Sequence, residues 1–278
     1  MNYRHAYHAG NFADVVKHVA LVAILRHLRA KDKPFRVIDT HAGRGFYDLA
    51  GSEAVRTSEA DDGIARVREL TGPPALETYL QIVRSLGPAR YPGSPLIAAR
   101  LLRPKDRLVA MEKQREEFAG LKSALTMFAT VRVAEADGYA RLKALLPPPE
   151  RRGLVLIDPP YESEDEFARA AAALIAAHKK FATGIYMLWF PIKSPAAANA
   201  FAGEIVNAGV GKLLRIAIDT GAPPKPDKAR LSAAGLLIAN PPFGFAAEMR
   251  ALVPILAPAL GQGGPAAIAV DWLSGGEN

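Results

Sequence analysis

Gly153-Leu154-Val155-Leu156-Ile157-Asp158-Pro159-Pro160-Tyr161 decides how the rest of the chain is read. A short apolar run closed by a proline pair reads as a buried strand, and open α/β sheets bind ligands beyond the carboxyl ends of their strands. The residues placed there suit one chemistry, methylation of an exocyclic amine. The amino group of adenine or cytosine shares its lone pair with the ring, so it is a poor nucleophile until its hydrogens are held. Asp158 can accept one N–H. The carbonyl of Pro159 can accept the other, because a residue before proline is held extended and Pro160 keeps the turn rigid. Tyr161 can stack on the base, a contact worth about 1–3 kcal/mol in single-strand sites. Such hydrogen bonds strengthen as positive charge grows on the nitrogen, which favours the transition state over the ground state.

A proline pair after a strand is also a common stop signal, and the chain carries a second version of the motif. Asn240-Pro241-Pro242-Phe243 follows Gly235-Leu236-Leu237-Ile238-Ala239, with an amide in place of the acid. Strand order separates the two. Strand-like runs recur at Phe35 to Asp39, Leu108 to Glu112, Val131 to Glu135, Leu154 to Asp158, Ile185 to Phe190, Leu213 to Asp219 and Leu236 to Ala239. Helical patterns lie between them, and a late run from Ala266 to Trp272 adds an edge. This alternation predicts an α/β fold, a mostly parallel sheet of seven or eight strands with helices on both faces. Asp158 ends the fourth run, beside the first across the switch point of a doubly wound sheet, whereas Asn240 follows the seventh.

Before the first strand, Phe12 to Arg29 reads as a long helix, with Val15, Val19, Val22 and Leu25 or Leu28 on one stripe. Asn11 is a suitable N-cap, and Asp14 suits the positive end of the helix dipole. From about Ser52 to Tyr91 the alternation breaks. The segment is too long for one crossover helix and carries helical patterning at Ile64, Val67, Leu70 and again at Leu76, Tyr79, Leu80, Val83. It is expected to be a small inserted helical subdomain, residues 52–91, within a core formed by residues 1–51 and 92–278.

The chain has 278 residues, half of them apolar, which is enough for one large domain. It contains no cysteine. Disulfides, thiolate nucleophiles and cysteine-based metal sites are thereby excluded, and metal binding has little support from six histidines alone. The start, Met1-Asn2-Tyr3-Arg4-His5, lacks the apolar core of a signal peptide, and no run has the length of a membrane span. A cytoplasmic protein is expected. A formal net charge of +7 biases it toward polyanions.

The first strand leads into Asp39-Thr40-His41-Ala42-Gly43-Arg44-Gly45, where glycines let a tight loop pass close to a ligand. A third glycine at dinucleotide spacing and the lysine-serine pair of a P-loop are both missing, which argues against a pyrophosphate ligand. Glu112, after the second strand, can accept from both hydroxyls of a ribose. Asp137-Gly138, after the third, is placed to accept from an adenine amino group. Any one of these acids could be a strand-end cap. Together, Asp39, Glu112, Asp137 and Asp158 describe a site for S-adenosylmethionine.

With these residues in place the chain resembles the RlmJ family, bacterial 23S ribosomal RNA adenine-N6 methyltransferases, over nearly its whole length. The likeness rests on Tyr3-Arg4-His5, His8-Ala9-Gly10-Asn11, Asp14 with Lys17-His18, and Asp39-Thr40-His41-Ala42-Gly43. Further along it rests on Tyr91-Pro92-Gly93-Ser94-Pro95, Ala136-Asp137-Gly138, Asp158-Pro159-Pro160-Tyr161 and Lys180-Phe181-Ala182-Thr183-Gly184-Ile185-Tyr186. The resemblance implies a Rossmann-like class I methyltransferase core with a helical insertion. It implies that His18, His41, Ser94, Glu112, Asp137, Gly138 and Asp158 line the methyl-donor pocket, with Asp158 the catalytic acid. It implies as substrate an adenosine of 23S ribosomal RNA; the expected partner is that RNA and not the fully assembled subunit, although the sequence does not give the assembly stage. Tyr3, Arg4 and His5 would help to cover the active site. His41 stands where many methyltransferases outside the family have a glycine or an aromatic residue, so their loop geometry does not transfer.

Basic residues cluster at Arg26 to Arg36, Arg100 to Arg107, Arg151-Arg152 and Lys179-Lys180. Charge runs of this kind are mostly solvated faces. The loop carrying Lys225, Lys228 and Arg230 differs, because it joins two late strands near the target side, and RNA contact is expected there. Two rival functions stand beside RNA methylation: a DNA adenine or cytosine amino methyltransferase, and a basic nucleic-acid-binding protein that kept the fold without catalysis.

Overall fold

The computed structural model describes residues 7–223 and 231–276. The first long element is α1 (Phe12–Arg29), begun by Asn11, whose side chain accepts from Asp14 N at 2.9 Å. That bond satisfies one of the orphan N–H groups of the first turn. Then come β1 (Arg36–Asp39), β2 (Phe46–Asp48), α2 (Ser52–Thr57), α3 (Ile64–Val67), α4 (Pro74–Arg84) and β3 (Arg90–Pro92). The middle of the chain forms α5 (Ser94–Leu101), β4 (Arg107–Glu112), α6 (Arg115–Leu125), β5 (Val131–Glu135), α7 (Gly138–Leu142) and β6 (Gly153–Ile157). The rest supplies α8 (Glu166–Lys180), β7 (Ile185–Pro191), α9 (Pro195–Asn207), β8 (Leu213–Asp219), β9 (Ala233–Ala239), α10 (Phe245–Leu260) and β10 (Ala267–Ser274).

Among the described residues, eight strands form one sheet in the order β10-β8-β9-β7-β6-β1-β4-β5. Strands β5, β4, β1, β6 and β7 are parallel neighbours, β9 runs against both β7 and β8, and β10 runs against β8. Successive side chains of a strand face opposite sides, and the two cores show it. Leu154 and Leu156 of β6 join the cluster under α1, α5 and α10, while Val155 and Ile157 join the cluster under α8 and α9. All four are buried, which is why β6 reads as an unbroken apolar run.

The antiparallel course of β9 sends the two proline motifs to opposite edges of the sheet. Ile157 pairs with Leu188 near the end of β7, whereas Ala239 pairs with Tyr186 at its beginning. Asn240 therefore emerges at the edge where the parallel strands start. There it adopts a left-handed backbone, φ 52°, and its Nδ2 donates to Ala182 O and Gly184 O, both at 2.8 Å.

Between β1 and β4 the structure contains an element that periodicity does not reveal. Strands β2 and β3 pair antiparallel, with Tyr47 opposite Tyr91, and so bring together the two ends of the helical stretch that separates them. At three residues each, such strands carry too little alternation to be read. Leu76, Tyr79, Leu80 and Val83 of α4 bury against α1 in the same core that covers the sheet.

Candidate active site

Beyond the ends of β1, β4, β5 and β6 lies a cleft of about 1030 Å³, its open mouth included. His18, His41, Gly43, Ser94, Glu112, Asp137, Gly138, Asp158 and Pro159 all line it. Two glycines explain how the backbone comes so close. Gly43 has φ 58°, and a side chain there would strike the Tyr47 hydroxyl; one at Gly138 would strike the carbonyl oxygen of Thr40. The first turn of α7 is thus pressed against the end of β1.

The two acids on the far side of the cleft are held by backbone. Glu112 Oε2 accepts from Gly43 N at 3.0 Å and its Oε1 from Gln114 N at 2.7 Å. Burial raises its pKa, opposed by the N–H groups of Gln114, Gly43 and Lys113. Asp137 caps α7 through Ala140 N at 3.2 Å, and its other oxygen meets Lys113 Nζ at 3.1 Å. Burial works against the charge on Asp137, but the Lys113 bond and the cap outweigh it and lower the pKa. Being a cap and lining the cleft are not alternatives for this residue.

His41 packs edge-on against Tyr139, ring centroids 4.7 Å apart, with Nδ1 2.8 Å from Thr40 Oγ1. The Thr40 hydroxyl donates its single proton to Leu156 O at 2.9 Å. His41 Nδ1 must then be the donor to Thr40, which leaves Nε2 as an acceptor. Burial pushes the pKa of His41 down to about 4 despite the attraction of Asp158 and Asp137, so the ring is neutral at pH 7. His18 lies deeper, its Nδ1 2.8 Å from the Tyr91 hydroxyl, which is 3.0 Å from that of Tyr79.

Asp39 departs from the expectation that the first strand supplies an acid to the cleft. It is 1% exposed and does not line the cavity. Its Oδ2 accepts from Ser94 Oγ at 2.7 Å, and its Oδ1 faces His41 N at 3.4 Å, so it fixes two segments of the wall from behind. The side chain of a strand's last residue can point to either face, and spacing alone does not say which. Burial, opposed by the Ser94 hydrogen bond and reinforced by Asp158, raises the pKa of Asp39 to about 7.

A second cavity of about 1290 Å³, again counted with its mouth, adjoins the first. Lys17, Asp158 and Pro159 belong to both. Its other walls include Tyr161, Trp189, Pro191 and Lys193. Tyr161 is absent from the first cavity. Its ring is packed 4.5 Å from Phe167 and 5.7 Å from Trp189, and its hydroxyl donates to Trp189 O at 2.8 Å. Leu231 and Ser232 also line this cavity. The residues Lys225, Lys228 and Arg230 just before them lie outside the described residues, as do Tyr3, Arg4 and His5.

Lys17 had no role assigned from sequence, and it is the most consequential addition. Its ammonium is buried between Asp14 Oδ1 at 2.7 Å and Asp158 Oδ2 at 2.6 Å. Burial opposes the charge, yet Asp14 and Asp158 together raise the pKa above the ordinary lysine value. The signal was the i,i+3 pair Asp14 and Lys17 in a helix otherwise apolar at those turns. Arg169 was also missed; it lies over the Tyr139 ring at 4.9 Å and 3.8 Å from Asp137.

These walls fit S-adenosylmethionine. They offer a carboxylate pinned by two N–H groups for a ribose, backbone approached closely at two glycines, and acids around a cationic donor. A doubly wound sheet in this strand order, with such a cleft and D-P-P-Y after the fourth strand, defines a class I S-adenosylmethionine-dependent methyltransferase. Residues 32–274 match the family described as ribosomal RNA large subunit methyltransferase D, RlmJ. A protein of Escherichia coli K12 named ribosomal RNA large subunit methyltransferase J is 39% identical, over 98% of this chain and 99% of its own. A Haemophilus influenzae protein of the same name is 35% identical over 99% of both chains. The crystal structure of LPL1258 from Legionella pneumophila superposes with a TM-score of 0.86 at 34% identity, over 95% of this chain and 98% of that one. The chain belongs to the RlmJ family, and its methyl donor is S-adenosylmethionine.

Proposed function

We propose that the protein transfers a methyl group to the N6 amino group of one adenosine in 23S ribosomal RNA, in the cytoplasm and before the large subunit is fully assembled. The observation that carries this reading is the junction of the two cavities at Lys17, Asp158 and Pro159. A donor in the first cleft and a base in the second would meet only there. S-adenosylmethionine supplies an electrophilic methyl group on a sulfonium.

Everything else falls to side chains and backbone. Lys17 occupies Asp158 Oδ2, which leaves Oδ1 to accept one amine hydrogen while the Pro159 carbonyl accepts the other. Tyr161 and Trp189 form an aromatic wall against which the base is held, with Tyr161 fixed by its bond to Trp189 O. Glu112 and Asp137 hold the donor, and His18, His41 and Ser94 close the cleft around it. The base must leave its stack at a cost of a few kcal/mol, least in looped or unfolded RNA. Holding the two reactants in line can supply about 7–11 kcal/mol of the barrier reduction.

The alternative acceptors are adenine or cytosine in DNA, since the amine pocket does not read a sugar. The test is label transfer from the donor to protein-free 23S RNA, assembled large subunits and DNA, followed by digestion to nucleosides. N6-methyladenosine from protein-free RNA is the expected product. Equal labelling of DNA, or label recovered in cytidine, would overturn the assignment.

A further inference from the structure

Three basic stretches that are separate in sequence meet at the edge of the sheet where β1, β4 and β6 begin. Arg36 pairs in register with Arg107, and Arg36 N donates to Arg152 O at 3.0 Å. The guanidinium groups of Arg103 and Arg152 lie 5.6 and 5.9 Å from the centroid of the buried Phe35 ring. Both also donate to Lys33 O, at 2.9 and 3.1 Å. The crowding shows in the titration of the group: burial and then Arg103 lower the pKa of Arg152, and burial, Arg152 and Lys31 lower that of His27.

Among the described residues, acids do not balance this edge. Asp106 is fully buried and neutralised by Arg103, and one oxygen of Glu150 is bound to Arg36 at 3.0 Å. Asp32 is exposed and Glu248 shares a hollow with Arg26 and His27, against exposed Arg29, Lys31, Lys33, Lys105, Arg107 and Arg151. Beside them opens a cavity of about 770 Å³, counted with its mouth, to which Arg36, Arg107, Arg132 and Arg141 contribute and no acid does. Cations held together against their own repulsion are relieved by a polyanion, and arginines in a concave surface suit phosphate oxygens.

We infer that this edge is a second RNA-binding surface, which grips the phosphate backbone of the substrate away from the methylated base. The inference rests on the reading of the protein as an RNA methyltransferase. Arg152 and Asp158 stand at opposite ends of β6, so the surface lies roughly 20 Å from the amine pocket at about 3.3 Å per residue. In a stacked helical strand, where each phosphate adds about 3.4 Å of rise along the axis, roughly six nucleotides span that distance. Short substrates would engage the pocket alone, and long ones both.

The test is the variant K31E/K105E/R132E/R141E, whose four side chains are exposed and outside both active-site cavities. Binding of a long protein-free ribosomal RNA fragment should weaken at least about tenfold. The slope of log K against log salt should become shallower by about 3, at roughly 0.7–0.9 for each phosphate no longer neutralised. Donor binding by calorimetry, and methylation of a four-nucleotide substrate relative to wild type, should not change. The neutral set K31Q/K105Q/R132Q/R141Q should move the same way by less, which guards against a misfolded reversal variant. Unchanged affinity and slope in both variants would overturn the inference while leaving the enzyme's assignment intact. A wild-type protein that binds no RNA would overturn both.

Discussion

Lys17 Nζ and Asp158 Oδ2 stand 2.6 Å apart, and the same ammonium lies 2.7 Å from Asp14 Oδ1. A helix that precedes the sheet thus sets the rotamer of the acid that follows its fourth strand. Replacing Lys17 by Met would leave the buried Asp14 and the half-buried Asp158 without their cation, a loss of up to about 3–5 kcal/mol for such pairs. Urea denaturation should show that loss, and turnover should fall with it. A variant as stable and active as wild type would mean that Asp158 is positioned by something else. Because the lysine pKa is raised in the folded state, its contribution is complete below the unfolded value near 10.4 and declines as pH rises toward the folded one.

Asp158→Asn keeps the shape of the side chain and removes the charge that strengthens as the amine becomes cationic. Methyl transfer should drop by at least about 10²-fold, the scale for one preorganised electrostatic contact, with the circular dichroism spectrum preserved. Near-normal transfer by the purified variant would exclude the proposed role.

Asn240→Ala is the counterpart at the other edge of the sheet. It removes two hydrogen bonds to Ala182 O and Gly184 O and places alanine at φ 52°. Stability should fall by about 1–3 kcal/mol, while kcat on protein-free RNA stays within about twofold. Asn240→Gly should recover part of the loss, since glycine tolerates that backbone. A collapse of kcat in either variant, with the protein still folded, would give this motif a share in catalysis.

Asp39 carries a pH signature. Its folded pKa, about 7, lies above the ordinary aspartate value of 3.8, so its proton is bound more tightly in the native state. The stability this provides is complete below about pH 3.8 and is lost as pH rises through 7, by an amount on the order of a few kcal/mol. Asp39→Asn, which can still accept from Ser94, should therefore gain on wild type between about pH 5 and pH 8 in urea titrations. Parallel stability curves for the two proteins would show that Asp39 ionises freely.

Glu112→Gln keeps the oxygen facing Gly43 N but removes the charge that both N–H groups and a ribose would meet. Affinity for S-adenosylhomocysteine, measured by calorimetry, should fall about 10–100-fold, the equivalent of losing one hydrogen bond to a charged group. Undiminished affinity would place the ribose elsewhere.

The sheet, the long first helix and the residues at the strand ends were all legible in the order of amino acids. Apolar runs of strand length and a capped helical stripe are local signals, and Gly153 to Tyr161 carried both a strand and the acid that lines the cleft beyond its end. Counting strands also separated Asp158 from Asn240, since connection order fixes which strands are neighbours. Other features came only with the folded chain, beside the short β2–β3 pairing: that β9 runs backwards and carries Asn240 to the far edge, that Asp39 turns behind the cleft, that Lys17 reaches Asp158, and that three basic stretches form one surface. Each depends on side-chain direction or on the meeting of residues far apart in the chain. Periodicity reports which face of its own element a residue occupies, and it holds no record of what another element brings to meet it.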